Sequence, residues 1–151
     1  MKNGPTMKMR VLLVEDSLPD QMLTSRALQK AIQVRGWDCE LDVVLDGRQA
    51  LERLFEGSKL RPPGYHMVLL DLWLPVLDGH GTLKAIREHP HGYKVPVVVL
   101  TTSDNPTDVE QAWKTSVQAY VVKPGSNNGG KFDHVLDWVS AVFLGLNVRA
   151  A

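Results

Sequence analysis

One cysteine, no long apolar run and no excess of either charge set the first limits on this chain of 151 residues. The lone thiol, Cys39, can close no internal disulfide, and a buried or idle role in a reducing compartment is expected for it. No window approaches the roughly 18 consecutive apolar residues of a membrane span. Residues 1–8 carry no apolar core of a secretion signal and read as a tail, with Met7 or Met9 as alternative natural starts. A cytoplasmic location with no membrane contact is therefore expected. Lys and Arg together number 17, as do Asp and Glu, which leaves no electrostatic footprint for nucleic acid. No His or Cys cluster has zinc spacing, and Asp78-Gly79-His80-Gly81 lacks the spacing of a dinucleotide or P-loop fingerprint. The length fits one domain, expected over 9–146 and followed by a short tail at 147–151.

What the chain does have is a set of short apolar runs that each stop at a polar residue. Met67-Val68-Leu69-Leu70 stops at Asp71 and is followed by Pro75 and Asp78-Gly79, which force a loop. An unbroken run of this kind fits a strand buried on both faces of a parallel sheet. Arg10-Val11-Leu12-Leu13-Val14 stops at Glu15-Asp16, Val97-Val98-Val99-Leu100 at Thr101, and Ala119-Tyr120-Val121-Val122 at Lys123. Leu41-Asp42-Val43-Val44 alternates more and reads as an edge strand. Between the runs lie amphipathic stretches. The first opens at Ser17 and carries Leu23, Ala27, Leu28, Ala31 and Val34 as its inner face. The second holds Ala50, Leu51, Leu54 and Phe55, the third spans 82–88, the fourth opens at Asn105-Pro106, and the fifth carries Phe132, Leu136, Val139 and Phe143. Residues 57–66 and 125–130 read as loops. Five strands alternating with five helices predict an α/β, doubly wound (βα)5 fold with a parallel five-stranded sheet; five strands in this size range fit the flavodoxin-like order 2-1-3-4-5, an inference from fold class.

That order would gather the strand-end residues at one edge of the sheet. Each alone has a plain structural reading: Asp71 as a strand-end cap, Glu15-Asp16 as a helix-entry charge pair, Thr101 as a strand-end hydroxyl, Lys123 as a solvated charge. Their joint occurrence at successive strand ends points to chemistry. Clustered carboxylates repel and take up protons unless a cation joins them. Oxygen ligands with open water positions suit Mg2+. Lys123 adds a compact positive charge, and the Thr101 hydroxyl can donate to an oxyanion. The set handles a phosphoryl group, with Asp71 as the nucleophile that carries it as an acyl phosphate.

With Glu15-Asp16, Leu69-Leu70-Asp71-Leu72, Leu74-Pro75, Asp78-Gly79, Thr101 and Lys123-Pro124 in these places, the sequence resembles the receiver domain of bacterial response regulators over nearly its whole length. The resemblance implies a two-component phosphoprotein that takes phosphate from a sensor histidine kinase onto Asp71. It implies that Glu15 and Asp16 bind Mg2+ together with Asp71 and the Trp73 backbone carbonyl, and that Thr101 and Tyr120 are the switch pair. The long 57–66 loop and the lone domain look like the small regulators paired with bacterial phytochrome kinases. Gly125 departs from the family pattern after Lys-Pro, and Trp73 is bulky at a position that influences phosphate loss.

No room is expected for an output domain, so output would be a protein contact or phosphate traffic. Alternatives are a relay intermediate, a phosphate sink, or a small-molecule phosphatase using Asp71. The phosphatase would want a second carboxylate where Trp73 stands. Val109 and Trp113 share a face of the fourth helix, and Val135, Trp138 and Val142 add a second apolar stripe to the fifth. These residues, with strand five between them, predict a homodimer surface.

Overall fold

The computed structural model describes residues 8–34, 36, 38–56 and 64–123. Five parallel strands form one sheet: β1 (Lys8–Val14), β2 (Asp38–Val44), β3 (Met67–Leu70), β4 (Val97–Thr101) and β5 (Ala119–Val122). Their order is β2-β1-β3-β4-β5, as expected from the fold class. The apolar runs of β1, β3 and β4 occupy the three central positions and are buried almost throughout, whereas β2 lies at the edge and is largely half-exposed. Alternate residues of each central strand feed opposite layers. Leu12, Val14, Val68, Leu70, Val97 and Val99 face one core with Leu54, Leu83 and Ile86. Val11, Leu13, Leu69, Val98 and Leu100 face the other with Leu28 and Ile32. A sheet covered on both sides explains why these strands read as unbroken apolar runs.

The helices α1 (Leu18–Val34), α2 (Gly47–Leu51), α3 (Gly79–Glu88) and α4 (Pro106–Lys114) connect the strands, and a π-helical turn, Glu52–Glu56, prolongs α2. No described helix is long and apolar enough to cross a membrane. The fifth predicted helix, with Val135, Trp138 and Val142, lies outside the described residues, as do the 125–130 loop and most of the 57–66 loop.

Two expectations need correction. The α1 face turned inward is Thr24, Leu28 and Ile32, with Ala27 and Ala31 beside it, while Leu23 is 48% exposed. The buried positions repeat every four residues, and Leu23 falls one step, about 100°, off that stripe. The third helix begins at Gly79, three residues earlier than the sequence suggests. Asp78-Gly79 was expected to be a turn; Asp78 instead caps α3, its Oδ1 accepting from Gly81 N–H at 2.7 Å. Asp46 caps α2 in the same way through Gln49 N–H at 2.8 Å. A Cβ on Gly79 would collide with the Asp71 carbonyl oxygen and the Leu72 Cα, so only glycine lets α3 start hard against the backbone that leaves β3. The Gly79 N–H donates to the Leu72 carbonyl at 3.0 Å across that contact.

The corrected α1 face makes a direct expectation. Ile32→Ala opens a cavity in the buried layer and should cost about 2–5 kcal/mol. Leu23→Ala, at the exposed position, should stay within about 0.5 kcal/mol of wild type. Urea denaturation of both variants measures the difference.

Candidate functional site

The strand ladder runs on past the strands at their carboxyl edge. Val14 pairs with Leu70 in register, and Leu70 with Val99. Beyond that row, Asp71 N–H donates to the Val14 carbonyl at 3.2 Å and Glu15 N–H to the Val44 carbonyl at 3.0 Å. Lys123 N–H donates to the Thr101 carbonyl at 2.7 Å. All five strands thereby help to fix the backbones of Glu15, Asp71, Thr101 and Lys123. All four side chains are buried, while Asp16 is exposed.

One carboxylate oxygen from each of Glu15, Asp16 and Asp71 lies within 4.8 Å of the others. The Lys123 ammonium sits against this group, hydrogen-bonded to Glu15 and, at 3.0 Å, to Asp20 Oδ2, with Asp71 Oδ2 at 3.5 Å. Glu15, Asp20 and Asp71 thus share one cation, and Asp16 adds a further carboxylate to the cluster. Burial pushes the Glu15 carboxyl up to about 7, against the hydrogen bond and charge of Lys123 and with the charge of Asp71 adding to the rise. Burial works against the Lys123 ammonium too, but Glu15, Asp71 and Asp20 outweigh it and hold its pKa above the usual lysine value. The surplus of negative charge, the all-oxygen donor set and the solvent access at Asp16 fit a hard divalent cation that keeps several waters.

A second network begins at Thr101. Its Oγ1 accepts from Ser103 N–H at 3.4 Å. Tyr120 donates its hydroxyl to the Ser103 carbonyl at 2.9 Å. The Ser103 hydroxyl donates to Asp108 Oδ2 at 2.6 Å, and His80 Nε2 lies 3.0 Å from Asp108 Oδ1. Ser103 and then His80 hold the Asp108 carboxyl below the usual range. The chain of contacts joins the end of β4, the start of α4, β5 and the first turn of α3.

The structure therefore brings together Glu15, Asp16, Asp71 and Lys123, and it places Thr101 and Tyr120 beside one another through Ser103. Trp73 projects outward at 63% exposure, its N–H 3.4 Å from Asp71 Oδ1. Sequence reasoning passed over Asp20. Its signal was available: Asp20 stands in the first turn of the helix that leaves the Glu15-Asp16 pair. It also passed over the Ser103–Asp108–His80 chain, which joins residues far apart in sequence and has no spacing signature.

A family model described as the response regulator receiver domain matches residues 11–129. The chain belongs to that family. Among curated relatives, the receiver is 40% identical over 116 residues to the probable methanogenesis regulatory protein FilR2 of Methanothrix harundinacea, covering 76% of this chain and 71% of that one. It is 39% identical over 114 residues to the response regulator Rcp1 of Synechocystis, covering 75% of each. The solved structure of Rcp1 in its Mn2+-bound form superposes with a TM-score of 0.70 at 33% identity, over 88% of this chain and 92% of that one. The phosphorylated cyanobacterial phytochrome response regulator RcpA superposes at 0.73 with 29% identity, over 92% and 96%. The receiver is thus a phosphorylation-type signalling regulator of two-component systems, a class whose partners are histidine kinases.

The raised Glu15 pKa gives a pH expectation for metal-free receiver. A carboxyl whose folded pKa lies above its ordinary 4.5 stabilises the fold fully below that value and loses the contribution as pH rises through about 7. Glu15→Gln removes the titration. Wild-type stability relative to the variant should fall steadily across that window in denaturation curves taken with chelator present, and divalent cation should reduce the fall.

Proposed function

We propose that this receiver accepts a phosphoryl group from a sensor histidine kinase onto Asp71 and uses the resulting charge to reshape its α4–β5 face. The observation that carries the reading is the position of Asp71: buried at the end of the central strand β3, among Glu15 and Asp16, with a buried ammonium 3.5 Å away. An Asp71 carboxylate oxygen attacks phosphorus, the bond from phosphorus to the kinase imidazole nitrogen breaks, and the imidazole keeps the electron pair. Mg2+, held by Glu15, Asp16, Asp71 and the Trp73 carbonyl, supplies positive charge to the phosphoryl oxygens when bound. Lys123, at the carboxyl end of β5 on the same edge of the sheet, supplies the other positive charge. The chain turns over nothing but its own phosphoryl group in this reading.

The switch follows from the second network. A phosphoryl group on Asp71 offers oxyanions that the Thr101 hydroxyl can donate to. Thr101 would then withdraw as acceptor for Ser103, and the Ser103 carbonyl that holds the Tyr120 hydroxyl would shift with it. Next to this network α4 presents half-buried Val109 and Trp113, 49% exposed, and β5 presents exposed Val122. An apolar surface beside the switch supports a phosphate-responsive homodimer through this face. The likeness to RcpA and Rcp1 supports a bacterial phytochrome as the kinase, and a cytoplasmic location goes with that partner.

Asp71→Asn keeps the shape and removes the nucleophile, so labelling by phosphodonor should vanish; wild-type labelling of the variant overturns the reading. Thr101→Ala should still accept phosphate but lose the chemical-shift changes around Tyr120. Trp113→Glu should shift the sedimentation of the phosphorylated protein from dimer to monomer without lowering its melting temperature.

A further inference from the structure

Lys123 has three ammonium protons, and two are already engaged. One goes to Glu15 and one to Asp20 Oδ2 at 3.0 Å, while Asp71 Oδ2 stands at 3.5 Å, short of a good hydrogen bond. The two engaged acids differ in surroundings. The Glu15 side chain is 2% exposed, so losing Lys123 would strand it. The Asp20 side chain is 35% exposed and can exchange the ammonium for water. Its backbone is anchored in the first turn of α1, where Asp20 N–H lies 3.4 Å from Ser17 Oγ, so the carboxylate stays aimed at the site.

We infer that Asp20 is a positioning residue for the phosphoryl step, a releasable tether that holds Lys123 back from Asp71 until a phosphoryl group arrives. The inference rests on the proposed phosphorylation of Asp71. When the Asp71–phosphorus bond forms, the new oxyanions draw the ammonium toward Asp71. The bond that gives way is the one to Asp20, because water replaces it there and cannot replace it at Glu15. Asp20 thereby slows capture of phosphate and sets a resting state in which Lys123 is parked. In free sequence terms, the tether is built from the fourth residue after Asp16, on the helix rather than on a strand end.

The test uses acetyl phosphate with Mg2+, where the phosphorus–oxygen bond breaks and acetate leaves with the electron pair. Asp20→Asn should raise the rate of phosphorylation about three- to fivefold, the size expected for a half-exposed ion pair. Asp20→Glu, which keeps the charge, should restore the slow rate. The gain should disappear in a Lys123→Met background, because a double-mutant cycle isolates the pairwise effect. Persistence of the gain in that background would show a simple loss of repulsion toward the anionic donor and overturn the inference. In metal-free protein the Lys123 ammonium protons should exchange with water faster in Asp20→Asn than in wild type, and unchanged exchange would also overturn it. If wild type labels at Asp71 but Asp20→Asn labels no faster, the tether fails alone; if wild type does not label at Asp71, the phosphorylation reading fails first.

Discussion

A single buried ammonium set against three carboxylates governs this molecule. Lys123 touches Glu15 and Asp20 and approaches Asp71, and each of these comes from a different element. Burying Glu15 and Asp71 together is unfavourable, and the cost shows in the Glu15 carboxyl, which burial lifts to about 7. The fold tolerates the arrangement because the backbones are fixed independently of the side chains. Ladder hydrogen bonds carry Glu15, Asp71 and Lys123 one residue beyond their strands. The site is therefore held in a state that welcomes positive charge and offers a nucleophile, instead of relaxing away from it.

The helices complete that frame through their first turns. Asp78 caps α3 and Gly79 lets it press against the Asp71–Leu72 backbone. Asn105 caps α4, accepting from Thr107 N–H at 2.9 Å, and places Asp108 where both Ser103 and His80 reach it. The loop after β3 and the loop after β4 are thus tied to each other as well as to the sheet. In the proposed switch, a change in charge at Asp71 would travel through Thr101 and Ser103 to Tyr120, and from Ser103 through Asp108 to the start of α3.

Much of this was legible in the sequence, for a physical reason. A parallel strand covered on both faces must be apolar throughout, and its first polar residue marks the carboxyl edge. Asp71, Glu15, Thr101 and Lys123 could be found that way, whereas the sheet order rested on the fold class and not on any residue pattern. Helix faces were less legible. On α1, Leu23 and Leu28 look alike as leucines, yet only Leu28 reaches the core, and buried Thr24 gives no apolar signal at all. Asp78-Gly79 carries the same letters as a turn, and only the packing against Leu72 makes it a helix start. The Ser103–Asp108–His80 chain escaped because side-chain pairing across elements leaves no periodicity to read.

The claim at the centre is that phosphate is carried by one carboxylate, and mapping the modified residue tests it most directly. Borohydride reduces an acyl phosphate on aspartate to homoserine, which mass spectrometry locates in the sequence. After phosphorylation by a histidine kinase in Mg2+, the account predicts homoserine at position 71 and nowhere else. Homoserine at position 16 or 20, or a phosphoprotein that yields none, would contradict it.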